Sequence, residues 1–278
     1  MKKRLSNLII SSSCSFTSVA SGLNIALITG STRTAGPPTV LGPRVNTFIQ
    51  TTLENRGHTI TTIDPKQFTL LQKPAFAYAP GRAPQELQEC QSILQQADAY
   101  VCITPEYNHS PSPALMNVLN HFGSSVFSFK PSAIGKCKTC GCLASLNSTY
   151  DVSRVGITSS SYKPTSFTLL HTVVTYSAGQ WGGTRAGVAL RTTLSELGCL
   201  PVSAMIHIPK AQEVLNRDGS VEVTSEESDE VERWQKYCSR TFSQLEWWAV
   251  AACNHREVVD PFDESPVFGK APSQRNAP

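Results

Sequence analysis

The chain has 278 residues, 40% hydrophobic and 16% charged, which supplies a sizeable core and argues against general disorder. A formal net charge of +3 with no Lys/Arg cluster gives no case for a nucleic-acid partner. No apolar run reaches the roughly 18 residues that a membrane-spanning helix needs, so no membrane partner is expected. Nine cysteines, an odd number without a repeating framework, fit a reducing, cytoplasmic setting.

Residues 1–22 open on MKKR, are rich in Ser and contain no acidic residue; the first is Glu54. A solvated leader is the first reading of this segment and a mitochondrial presequence the second. From Asn24 strand and helix patterns alternate. Asn24 to Thr29 (NIALIT) is a buried strand ending at Gly30. Arg44 to Arg56 follows as a helix with Val45, Phe48, Ile49 and Leu53 on one face and Gly57 as its stop. His58 to Ile63 is a second strand, and residues 65–82, with several prolines, read as a loop. Pro84 to Ala97 is a helix, Ala99 to Ile103 the third strand and Pro113 to Phe122 the next helix. Val173 to Tyr176 is a strand, Thr184 to Leu197 a helix and Leu200 to Ile208 the last strand. Val231 to Ala252 carries Trp234, Cys238, Thr241, Phe242, Leu245, Trp248 and Ala252 at helical spacing, the packing face of a terminal helix. Residues 260–278 are a polar tail expected to be disordered.

This alternation predicts an α/β fold: a doubly wound, parallel, five-stranded sheet with helices on both faces, over residues 23–259. Ligands of such folds bind beyond the carboxyl ends of the strands, where the strand order reverses. Three loops lie there. Gly30-Ser31-Thr32-Arg33-Thr34 offers a tight turn, hydroxyl donors and a guanidinium fork for a phosphate at a helix N-terminus. It lacks both GxGxxG and the Walker A lysine, which disfavours dinucleotide-fingerprint and NTP readings. Thr104-Pro105-Glu106-Tyr107-Asn108-His109-Ser110 combines a stiff exit, a flat aromatic ring and an amide that donates and accepts, a mixture suited to a planar heterocycle. Ser177-Ala178-Gly179-Gln180-Trp181-Gly182-Gly183-Thr184-Arg185 holds three glycines, which imply close approach of backbone to something flat or anionic.

The GSTR loop, TPEYNHSPSPALMNVLNH and SAGQWGGTRAGVALR resemble the NADPH-dependent FMN reductase family, of flavodoxin-like fold, from about Asn24 to Ile208. The resemblance implies that Ser31, Thr32 and Arg33 hold the FMN phosphate. It implies that Pro105, Glu106, Tyr107 and Asn108 line the isoalloxazine and that Ser177, Gly179, Gly182 and Gly183 border its other edge. It further implies hydride transfer from NADPH or NADH to FMN, and onward to a quinone, flavin or similar small-molecule acceptor, with no catalytic side chain required. A homo-oligomer is implied as well. One departure stands out: a phosphate-contacting Ser usual in the family is replaced by Ala35-Gly36-Pro37-Pro38, with Arg44 further on.

Residues 135–172 fit nothing around them, because the resemblance implies that Lys130 to Ile134 runs directly into Val173 to Ser177 as one central strand. Three readings compete. Cys137, Cys140 and Cys142 with His171 could bind zinc; the block could be a surface excursion forming a lid; or it could be a retained intron. The third is preferred, since Gly-Lys-Cys and Thr-Val are compatible with donor and acceptor splice sequences that restore Ile134-Val173 in frame. The alternative to a reductase is a non-catalytic flavodoxin-like binding module, possibly with a zinc-binding insertion.

Overall fold

The computed structural model describes residues 22–36, 39–127, 170–223 and 229–259. Both termini and residues 135–169 of the unusual block lie outside that set, so the leader, tail, lid, intron and Cys137-Cys140-Cys142 expectations fall on residues not described.

Strand β1 (Asn24–Thr29) has the expected bounds. Helix α1 (Gly42–Glu54) starts two residues early because Pro43 fits its first turn. It runs out ahead of Gly57, whose φ of +89° is one that other residues resist. Strand β2 (Thr59–Ile63) follows, then two short 3-10 turns, Pro65–Gln67 and Ala75–Ala77, within the expected loop. Helix α2 (Gln85–Gln96) leads to β3 (Ala99–Tyr107), four residues longer than expected. Pro105 sits in the strand because it lies beyond the last β1–β3 pair, Thr29 with Ile103, so its missing N–H breaks no ladder on that side. A hairpin returns β3 into β4 (Ser110–Pro111), and α3 (Pro113–His121) and α4 (Ser124–Phe127) follow.

Strand β5 (Leu170–Tyr176) begins three residues before the expected Val173, and Leu170, His171 and Thr172 pair with Ala99, Tyr100 and Val101. The last three residues of the 135–172 block are therefore sheet. After α5 (Thr184–Glu196), the expected final strand is split into β6 (Leu200–Pro201) and β7 (Ile206–Ile208), both paired with β5. Between them the chain leaves the ladder, where Gln244 accepts from Ser203 Oγ and the Ala204 N–H. Helices α6 (Ala211–Val214) and α7 (Glu230–Val258) complete the described chain.

The main path of the sheet is β2-β1-β3-β5-β6, with β7 also on β5 and β4 antiparallel to β3. All pairings along that path are parallel. Seven strands replace the expected five because of the split last strand and the two-residue β4. Strand alternation sorts side chains into two cores. Ile25, Leu27, Val101 and Val174 face α1 and α7, against Val45, Phe48, Ile49, Phe242 and Leu245. Ala26, Ile28, Tyr100, Cys102 and Val173 face α2, α3 and α5, against Leu94, Leu119, Leu190 and Leu194. Each large apolar side chain so buried contributes about 1.5–3 kcal/mol relative to exposure.

On α7 the buried stripe runs through Cys238, Thr241, Phe242, Leu245, Ala249 and Cys253. Trp248 is exposed, contrary to expectation, because Ala249 is the residue that follows Leu245 on the face turned to the sheet. The helix is further pinned by a half-buried ion cluster. Arg56 binds both carboxylate oxygens of Glu246, and His58 Nε2 lies 2.9 Å from the same group. Burial alone would raise the Glu246 pKa, but hydrogen bonds from His58 and Arg56 outweigh it and hold the carboxyl below its ordinary value.

Candidate functional site

The chain steps from β1 outward to β2 and then back to β3 on the other side of β1, so strand order reverses between β1 and β3. The first two loops flank that crevice and the third follows the neighbouring β5.

In the first loop Gly30 is required by packing, since a Cβ there would lie 2.7 Å from the Ile103 carbonyl oxygen and 2.9 Å from Ser112 Oγ. Ser112, the N-cap of α3, accepts from the Leu115 N–H and donates to the Gly30 carbonyl, tying the first loop to the second. Ser31 and Arg33 are half-buried and Thr32 is exposed. Ser31 packs against the start of α1, where a Cβ on Gly42 would come within 2.8 Å of its own Cβ. Leu41 gives α1 no side-chain cap, so the positive end of the helix faces this loop. Arg44 is used elsewhere, donating to the Leu215 carbonyl at 2.8 Å.

The second loop is a tight hairpin. Asn108 and His109 form its two-residue apex, with φ of +50° and +63° between the paired Tyr107 and Ser110. Both central residues of such a turn need positive φ, which Asn tolerates better than most residues. Tyr107 is 37% exposed and Asn108 is exposed at the mouth of the crevice. Pro105 is buried in β3 beneath them. The Glu106 side chain is only 12% exposed and turns away toward α5, its oxygens 2.8 Å from His109 Nδ1 and 3.5 Å from the Ala186 N–H. It adds negative charge at the positive end of α5. Arg185 Nη1 lies 3.2 Å from the same His109 nitrogen. One ring nitrogen cannot donate to Glu106 and accept from Arg185 together, and the shorter contact assigns its proton toward Glu106.

The third loop is held from behind by residues 207–212. The Lys210 N–H donates to the Gly179 carbonyl at 3.0 Å, the Ala211 N–H to that of Ser177 at 3.1 Å, and Gln212 Nε2 to that of Ala178 at 3.1 Å. Thr175 Oγ1 donates to the Gly182 carbonyl at 2.7 Å, so its contact with His207 Nδ1, also 2.7 Å, must be accepted from the ring N–H. Burial lowers the His207 pKa, which keeps the ring neutral in that role. With the carbonyls turned inward, the N–H groups of Ala178, Gly179, Gln180 and Trp181 find no acceptor among the described residues.

The three glycines of this loop separate by cause. At Gly182 (φ +58°) a Cβ would meet Pro209 N at 2.8 Å, and at Gly183 (φ +82°) it would meet Thr175 Cβ at 2.8 Å. Those two are required by the fold itself. At Gly179 a Cβ meets only Ser177 Oγ, at 3.8 Å, so nothing within the chain demands glycine there. Space at Gly179 beside four unused N–H groups fits the electron-rich edge of a flavin, and the uncapped α1 turn beside Ser31 and Arg33 fits its phosphate.

Of the residues expected to contact a cofactor, Ser31, Thr32, Arg33, Tyr107, Asn108, Ser177 and Gly179 reach the surface around the crevice. Pro105, Glu106, Gly182 and Gly183 shape it from behind. Sequence reasoning missed Ser112, Thr175 and His207. Ser112 carries a signal, a Ser directly before Pro at a helix start; the others are hidden inside strand patterns. A cavity of about 620 Å³ lined by residues including His207, Trp234 and Tyr237 shares no lining residue with the three loops. Among the described residues no group of three or more His, Cys, Asp or Glu could hold a metal, and no helix is long and apolar enough to cross a membrane.

Residues 23–213 match the NADPH-dependent FMN reductase family. The chain belongs to this family. Membership brings FMN as cofactor and NAD(P)H as reductant, and makes the protein an NAD(P)H-dependent flavin oxidoreductase in the broad sense. Comparison with curated proteins gives no match. Among solved structures, the chain is similar to FerB, a flavoenzyme NAD(P)H:(acceptor) oxidoreductase from Paracoccus denitrificans. The TM-score is 0.56 at 18% identity, covering 83% of this chain and 98% of that one. An oxidoreductase from Corynebacterium diphtheriae gives a TM-score of 0.48 at 12% identity, covering 84% of this chain and 99% of that one. At such identities the FerB likeness shows the flavodoxin-like fold alone.

Proposed function

We propose that this family member binds FMN across the three loops and passes electrons from NADPH or NADH to a quinone, a free flavin or a similar small molecule. The observation that carries this reading is the third loop, with its carbonyls tied inward, four N–H groups unused and Gly179 open. Bound FMN would supply the two-electron chemistry, accepting and returning hydride. The protein's part is to bind and orient. Ser31, Thr32 and Arg33 hold the phosphate, Tyr107 and Asn108 cover one side of the ring, and the Ala178 to Trp181 N–H groups and Gly179 border its other edge. Pro105, Glu106, Ser177, Gly182 and Gly183 set the positions of those groups. No side chain is assigned as a proton donor or acceptor.

Arg33→Ala removes a charge-assisted partner of the phosphate, worth roughly 1.5–3 kcal/mol, and should lower FMN affinity about ten- to hundredfold. Unchanged affinity in a titration of flavin-stripped protein removes Arg33 from the site. NADPH oxidation with a quinone or free flavin as acceptor should fall in a Tyr107→Ala, Asn108→Gly double variant, which keeps the hairpin turn. Wild-type turnover in that variant contradicts the placement of the second loop. The same family reading carries a homo-oligomer, which sedimentation would show as at least twice the 30.2 kDa of one chain.

A further inference from the structure

Arg185, the second residue of α5, reaches from the end of the third loop to the apex of the second, where its Nη1 lies 3.2 Å from His109 Nδ1. That contact is not a hydrogen bond, because the same ring nitrogen gives its proton to Glu106 at 2.8 Å. Glu106 is itself engaged, by His109 and by the Ala186 N–H at 3.5 Å, and forms no ion pair with Arg185. The guanidinium of this exposed residue therefore has its N–H donors and no acceptor among the described residues. The amino end of α5 adds partial positive charge at the same place.

Neither the flavin phosphate nor the acceptor accounts for this charge. The first loop beside α1 is the phosphate end of the proposed FMN site, whereas Arg185 meets the hairpin apex next to Tyr107, at the ring end. A quinone brings no charge, but NADPH and NADH carry phosphates one ribose away from the nicotinamide that must meet the ring. We propose that Arg185 is a specificity-determining residue for the reductant, its planar fork binding a phosphate of NAD(P)H at the mouth of the crevice. The inference rests on the FMN reading above. It separates the two substrates that share one flavin, since charge holds the reductant and not the acceptor.

The test compares FMN-loaded wild type and Arg185→Gln by anaerobic stopped-flow reduction of the flavin. The donors are NADPH, NADH and N-benzyl dihydronicotinamide, which carries the same reacting ring without phosphates. The variant should need about three- to tenfold more NADPH for half-saturation at an unchanged limiting rate, the scale of an exposed charge pair strengthened by a forked contact. Reduction by the phosphate-free donor should match the wild type, and calorimetry should show the affinity of the holoenzyme for NADP+ falling by the same factor. A loss for NADH as well assigns Arg185 to the shared pyrophosphate, and a loss for NADPH alone to the 2′-phosphate; either supports the proposal. Unchanged NADP+ affinity, an equal loss with the phosphate-free donor, or loss of FMN from the variant overturns it, while flavin reduction in the wild type leaves the functional reading standing. A wild type that binds no FMN, or whose FMN is not reduced by NADPH, overturns that reading and this inference with it.

Discussion

At its carboxyl end β5 uses the threonine hydroxyl that it buries, whereas at its amino end it buries a histidine that finds no partner among the described residues. Thr175 donates to the Gly182 carbonyl and accepts from His207. Four residues before Thr175, His171 is fully buried and both its ring nitrogens lack partners among the described residues, and Thr172 Oγ1 makes a 3.4 Å contact with the Ala204 carbonyl. Unpaired buried polar atoms cost about 1–3 kcal/mol each, so the amino end carries a defect that the carboxyl end does not. The contrast teaches where the chain fits its own sheet: from Val173 onward residue and environment agree, and the disagreement falls on the last residues of the 135–172 block.

The expectation that this block is a retained intron gives the largest predicted effect. In a chain lacking 135–172, Ser132, Ala133 and Ile134 precede Val173 and inherit the positions opposite Ala99, Tyr100 and Val101. Alanine then replaces the orphaned histidine, and isoleucine replaces Thr172 beside the apolar core. Relief of about 1–3 kcal/mol should raise the melting temperature by roughly 2–12 °C at about 2–4 °C per kcal/mol. Flavin occupancy should rise with it, and cDNA across the join should show the shorter sequence. A deletion variant that does not fold, or stoichiometric zinc in the full-length protein, makes the block a structural element.

Acid stability examines the same defect. Burial chiefly, with Arg191 as a second cause, lowers the His171 pKa from 6.5 to about 3. Between those values the unfolded chain binds a proton that the folded chain refuses. Its contribution is therefore fully present above about pH 6.5 and is lost as pH falls toward 3, by up to about 1.4 kcal/mol per pH unit. Urea unfolding at pH 7 and pH 5.5 should show this loss in the wild type and a flatter response in His171→Ala. Equal slopes would mean that His171 is not buried as described.

At the other end, Thr175→Val should cost about 1 kcal/mol by leaving the Gly182 carbonyl and His207 without their shared partner. A calorimetric shift of a few degrees checks it, and no shift would place the third loop's support elsewhere. The smallest effect on stability is expected at Gly179. Gly179→Ala should leave the melting temperature unchanged yet weaken FMN binding, whereas Gly183→Ala should destabilise the free protein, because its φ and its contact with Thr175 both require glycine.

The β1 strand and the helix cores were legible because their apolar periodicity is unbroken. The extension of β3 through Pro105 was not, since proline and polar residues read as loop until the neighbouring ladder is known. The split of the last strand was hidden because Gln244, which takes the intervening polar groups, lies about forty residues away. At the site, residue types identified the three loops, but their division of labour needed coordinates. Glu106 turns toward α5, and two of three glycines answer to Pro209 and Thr175.

The central claim is that the three loops form one FMN site, and a fluorescence titration of flavin-stripped protein with FMN tests it most directly. The account predicts quenching that saturates at one FMN per chain, a yellow complex, and weaker binding by Gly179→Ala at unchanged melting temperature. A colourless protein that leaves FMN fluorescence unquenched, while folded by circular dichroism, would contradict it.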